Sequence, residues 1–137
     1  MNTTKIKLTT VQKYEDHENR DEMLLDAIVA ERNGSIYIKF DQVDTNYNVT
    51  VNNLIKLKDN VVTVKRTGAL SSTMVFDKEK PYATDYETPY GKLDINVKVH
   101  EITAEILQNH VNLMISYEMM MQGKKISDNI YLIESVR

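Results

Sequence analysis

Among the side chains able to do chemistry, Arg66 stands out by position. It shares the two-residue phase of Val62 and Val64, so the strand face that carries those valines also carries a guanidinium. Drawing that charge into an apolar interior costs on the order of several kcal/mol unless it finds partners. Two readings follow. Arg66 would anchor the carboxylate or phosphate of a ligand, or it would pair with a carboxylate of the chain itself, such as Glu87 at the mouth of the fold. An arginine near a strand end also has the reach to keep its head in water.

A second group is the row of hydroxyls Tyr82, Thr84, Tyr86 and Thr88, which with Ser72 would make a polar patch inside or beside a cavity. Tyr and Thr are also good strand formers, which explains the row without any ligand. A third group is Met114, Met119, Met120 and Met121. Unbranched thioethers make an adaptable pocket wall, and they equally make ordinary core. Three methionines in succession must turn at least one away from the core, and that side chain would mark a contact surface.

Other chemistries are excluded or disfavoured by composition. The chain has no cysteine, which removes disulfides, thiolate metal sites and cysteine nucleophiles. His17 lies among Glu15, Asp16 and Glu18, and His100 is followed by Glu101 and Glu105. Strand neighbours point to opposite faces and acidic loops are usually solvated, so neither group is expected to hold a metal. No serine stands in a nucleophile-elbow pattern, and the four glycines are not spaced to cradle a phosphate. No catalytic residue and no cofactor is assigned; were the protein an enzyme, Arg66 and Tyr86 with a carboxylate would carry the reaction. The 17 Lys and Arg against 20 Asp and Glu give a net charge of -3, the wrong sign for a general nucleic-acid binder. No apolar run in the first twenty residues is long enough for a signal peptide, and none later approaches a membrane span, so a cytoplasmic protein with no membrane contact is expected.

The elements that must position these residues are strands. At 137 residues the chain is the size of one domain, read as 1–137. Val111, Leu113, Ile115, Tyr117, Met119 and Met121 occupy alternate positions, the signature of a half-buried strand. Asn33-Gly34 is the strongest hairpin signal, because a type I′ turn needs positive φ at both central positions. Met23 to Arg32 and Ile36 to Val43 flank it as strands. Tyr47 to Leu57, Val61 to Thr67, Leu70 to Asp77, Tyr82 to Thr88, Lys92 to Val99 and Ile126 to Val136 follow, with Lys5 to Tyr14 at the start. In Ile126 to Val136 the apolar phase is set by Ile126, Ile130 and Leu132. Between Val99 and Ile102 the phase jumps, which predicts a bulge or sharp bend. Ile102, Ile106 and His110 also sit at helical spacing, but strands joined by a turn at Gln108-Asn109 are the preferred reading. Thr88-Pro89-Tyr90-Gly91 is read as a structural turn, and Glu15 to Glu22 as an acidic loop. About ten short strands must hide their edges, and closure into a barrel is the direct solution, with a two-sheet sandwich as the alternative.

Thr73-Met74-Val75-Phe76-Asp77 followed by Tyr86-Glu87-Thr88-Pro89-Tyr90-Gly91 resembles the YwiB-like family of small bacterial proteins. Asn33-Gly34-Ser35-Ile36-Tyr37 and Val61-Val62-Thr63-Val64-Lys65-Arg66 with Gly68 after it agree, so the resemblance spans nearly the whole chain. It implies an all-β, antiparallel, calycin/lipocalin-like barrel of a bacterial cytoplasm, and it brings no catalytic residues to carry over. The expected function is non-enzymatic binding of a small apolar or amphipathic molecule lined by Arg66, Met74, Phe76, Tyr86 and Thr88. The alternative is a protein-interaction module, such as a homodimer, whose barrel is filled by its own side chains.

Overall fold

The structure, a computed structural model, describes residues 2–44, 48–68, 71–88, 91–107 and 110–136; for 2, 44, 82–88 and 91–94 only the backbone is described. Ten strands run in chain order: β1 (Asn2–Lys13), β2 (Glu18–Arg32), β3 (Ser35–Asp44), β4 (Val49–Lys58), β5 (Val61–Gly68), β6 (Ser72–Asp77), β7 (Tyr82–Thr88), β8 (Gly91–Leu107), β9 (His110–Met121) and β10 (Lys124–Ser135). They form one antiparallel sheet in the order β6-β5-β4-β3-β2-β1-β10-β9-β8-β7. The outermost strands of that order, β6 and β7, are consecutive in the chain and lie beside one another, which curls the sheet into a nearly closed barrel. Among the described residues no helix is long and apolar enough to cross a membrane.

The turns follow the backbone chemistry of their residues. Asn33 and Gly34 take φ of 53° and 80° between the paired Arg32 and Ser35, as a type I′ hairpin requires. Asp59-Asn60 and Gln122-Gly123 use the same positive-φ pair to join β4 to β5 and β9 to β10. At the β1–β2 connection the expectation fails. Residues 18–22 are strand, paired from Lys13↔Glu18 to Thr9↔Glu22, and the acidic loop shrinks to a tight turn. Tyr14 N–H donates to the His17 carbonyl at 2.8 Å, and the two rings stack with centroids 4.5 Å apart. Lys7 and Arg20 neutralise Glu22, so acidic composition there does not oppose pairing.

Period-two alternation places the core. Ile6, Ile38, Ile55, Val62, Leu113, Ile115 and Ile133 are buried on the inner face. The phase jump in β8 is a bulge between Val99 and Glu101, which moves the inward set from Val97 and Val99 to Ile102 and Ile106. No helix interrupts this stretch; β8 and β9 pair to Leu107↔His110, and the turn at Gln108-Asn109 lies outside the described residues. Pro89 and Tyr90 lie outside them as well, while Gly91 opens β8 opposite Thr88.

In β10 the apolar phase read from Ile126, Ile130 and Leu132 is not the core face. A register shift between Lys125 and Ser127 leaves Ile126 out of the ladder, and the inner face carries Ser127, Asn129, Tyr131 and Ile133, with Ile130 exposed. Ser127 and Asn129 are buried polar side chains that satisfy each other: Asn129 Nδ2 donates to Ser127 Oγ at 3.0 Å.

Gly68 ends β5 at φ 111°, and a Cβ there would stand 2.5 Å from the Thr50 carbonyl oxygen. Gly34 has positive φ too, but open space around it. Gly68→Ala is therefore expected to lose about 2–3 kcal/mol in urea denaturation, against about 1 kcal/mol for Gly34→Ala. Equal losses at the two positions would refute the close approach of β5 to the Thr50 backbone.

Candidate functional site

The barrel interior is filled towards one end and hollow towards the other. Along β1 the inner face runs from buried Ile6 through Leu8 to Thr10, along β3 from Ile38 through Phe40 to Gln42, and along β5 from Val62 through Val64 to Arg66. β9 passes from Leu113 to Met119 and β10 from Ile133 to Tyr131 in the same sense. Beyond the packed aliphatic layer lies a cavity of about 480 Å³, walled by Leu8, Met23, Val64, Met74, Phe76, Tyr117 and Met119 and flanked by Gln42, Asn53, Arg66 and Tyr131. Exposed Asp21 and Glu22 stand on its rim. Phe76 and Tyr117 meet edge to face across the interior, with centroids 4.7 Å apart, joining β6 to β9.

The polar flank is built by register. Asn53 on β4 is opposite Arg66 on β5 and diagonal to Gln42 on β3, so three long polar side chains share one patch of inner wall. Gln42 Oε1 accepts from Asn53 Nδ2 at 3.0 Å and from Arg66 Nη2 at 3.4 Å, while Gln42 Nε2 lies 3.3 Å from Met23 Sδ. Asn53 Nδ2 also reaches the Val51 carbonyl at 3.3 Å. One amide oxygen thus serves two donors, and among the described side chains the guanidinium donates only this one long bond. Among the described residues Arg66 Nε is buried and makes no hydrogen bond, and the buried hydroxyl of Tyr131 makes none either. Burial pushes the Tyr131 phenol well above its ordinary range, with the positive charge of Arg66 offsetting part of that, so the group stays a neutral O–H donor.

Glu22 on the rim is engaged elsewhere. Hydrogen bonds from Arg20 and then from Lys7 hold the Glu22 carboxyl below its usual range, with Arg20 Nη2 at 3.1 Å and Lys7 Nζ at 3.3 Å. That carboxylate is engaged by the exposed faces of β1 and β2.

Of the residues singled out in the sequence, Arg66, Met74 and Phe76 lie together on the cavity wall. The side chains of Tyr86 and Thr88, and that of Glu87, the proposed partner of Arg66, lie outside the described residues. Met119 faces the cavity, whereas Met121 is exposed. Asn53 carries a sequence signal of its own, since it interrupts an apolar row in the inward phase between Val51 and Ile55.

The histidine groups rearrange. His17 meets Asp16 at 2.6 Å, His110 meets Glu105 at 3.7 Å, and Glu101 turns to Lys78 at 3.6 Å. His100, set on the β8 bulge, meets Glu118 of β9 at 3.1 Å, with Asp128 of β10 close by. Lys125 already places its ammonium 3.0 Å from Asp128, so a cation of the chain neutralises that corner.

No curated protein matches this sequence. Among solved structures, the ywiB protein from Bacillus subtilis superposes with a TM-score of 0.79 over 98% of this chain and 94% of that one, at 16% identity. At that identity the likeness concerns the fold, and it agrees with the antiparallel barrel expected from the sequence. Residues 6–133, nearly the whole barrel from the core end of β1 to the last buried isoleucine of β10, match the family model described as Domain of unknown function (DUF1934), and the chain belongs to that YwiB-like family.

Proposed function

We propose that this chain is a non-enzymatic binding protein that holds a small apolar or amphipathic molecule in the hollow half of its barrel. The carrying observation is the cavity of about 480 Å³. Small-molecule sites are typically concavities of roughly 300–1,000 Å³ that combine apolar side chains with convergent polar groups, and this wall sets Leu8, Val64, Met74 and Phe76 beside Gln42, Asn53, Arg66 and Tyr131. Its methionines, Met23, Met74 and Met119, can reshape around different occupants without breaking the ladder. A calycin/lipocalin-like barrel would use its interior in this way, and a chain without cysteine suits the reducing cytoplasm.

The interaction-module reading has less support. The exposed large apolar side chains, including Leu24, Val43, Leu54, Leu107, Met121 and Ile130, are spread over β2, β3, β4, β8, β9 and β10. Scattered exposure of this kind is normal for a folded surface.

Native mass spectrometry of protein freshly purified from a bacterial host should show a reproducible extra mass that denaturing extraction releases. Met74→Trp, which fills the cavity from its wall, should abolish that mass and leave the chain folded by circular dichroism. A bare chain mass before and after denaturation, beside a stable dimer, would instead move the reading to a protein interface.

A further inference from the structure

Arg66 Nε and the Tyr131 hydroxyl are both donors, both buried, and, among the described residues, both without an acceptor at the edge of the same cavity. Buried donors left unmade are expensive, and native structures rarely keep two of them in one place without a use. Gln42 is the only described side chain bonded to the guanidinium, and its oxygen is already shared with Asn53. What the site lacks is therefore acceptor atoms and negative charge.

We propose that the occupant is an amphipathic carboxylate, its carboxylate received by Arg66 and Tyr131 and its apolar body lying against Leu8, Val64, Met74 and Phe76. This rests on the binding-barrel reading above and adds the chemical class of the ligand. A carboxylate fits better than a multiply charged head. Arg66 is the one cation among the described lining residues, and the two other charged lining residues, Asp21 and Glu22, are acidic. A singly charged group would be neutralised there, whereas a second negative charge would find no further cation among the described lining residues. A carboxylate also offers two oxygens, enough to take the guanidinium N–H and the phenol O–H together. The apolar walls opposite then require a body of hydrocarbon character, because polar groups placed there would be buried without partners.

Decanoate and 1-decanol share a chain and differ in the head. Isothermal titration of delipidated protein should give decanoate an affinity about tenfold or more above that of 1-decanol, the scale of one charge-assisted hydrogen-bonded pair. Arg66→Gln should remove that preference by weakening decanoate and leaving 1-decanol nearly unchanged. Tyr131→Phe should weaken decanoate by a smaller factor. In the absence of ligand its melting temperature should be equal to or above that of the parent, since the deleted hydroxyl has no partner to lose. Equal affinity for acid and alcohol, unaltered by Arg66→Gln, would overturn the carboxylate assignment and leave the binding barrel standing. Failure of both probes to bind a folded protein would overturn both. A markedly lower melting temperature for ligand-free Tyr131→Phe would show that the hydroxyl serves the fold, and would also count against the assignment.

Discussion

The ladder between the first and last strands is the constraint on which the rest of the molecule depends. Ile6↔Ser135 to Lys13↔Asp128 are paired, and Val136 N–H extends the contact to the Lys5 carbonyl at 2.9 Å. Every other ladder joins neighbours in the chain, so without this one β1–β6 and β7–β10 would be two separate meanders with exposed edges. With it, the sheet becomes continuous and the only seam is between β6 and β7, which a short connection keeps together. The pairing spans nearly the whole sequence, so loop-closure entropy must be met before it forms, and slow folding is expected of such a topology.

Once the sheet is closed, strict alternation decides what goes inside, polar or not. At the filled end this brings in isoleucine, valine and leucine, and packing alone stabilises it. At the other end the same alternation brings in Gln42, Asn53, Arg66 and Tyr131, whose polar atoms must be satisfied by one another or by something else. Asn53 and one arm of Arg66 find Gln42, while Arg66 Nε and the Tyr131 hydroxyl find no partner among the described residues. The hollow end is therefore a place where the chain has forgone packing and hydrogen bonding together. Local departures from good folding practice of this kind are expected where a protein binds.

Most of the fold was legible because its signals are local. The Asn33-Gly34 turn, the alternation of β9 and the phase jump before Ile102 each announce their geometry within a few residues. Two elements were misread for physical reasons. Residues 18–22 looked like an acidic loop because the neutralisation of Glu22 comes from Lys7 on the neighbouring strand as well as from Arg20. In β10 Ile130 and Leu132 stand on the outer face, and the inner face opens with Ser127 and Asn129 before Tyr131 and Ile133, so the parity of Ile126, Ile130 and Leu132 did not mark the core. The site was legible at Arg66, Met74 and Phe76, each standing in an inward apolar row. Tyr131 was hidden by the same inverted phase of β10, and the patch of Gln42, Asn53 and Arg66 depends on register across three strands, which no single stretch of sequence displays.

Closure of this barrel leaves a cavity edged by donors that no described residue satisfies. A crystal structure of the protein as isolated, at a resolution that reveals ordered water, tests it most directly. Continuous density is expected in the hollow end, with one acceptor atom within about 3 Å of Arg66 Nε and another within about 3 Å of the Tyr131 hydroxyl. A collapsed interior, with both donors bonded to side chains or backbone of the chain itself, would contradict it.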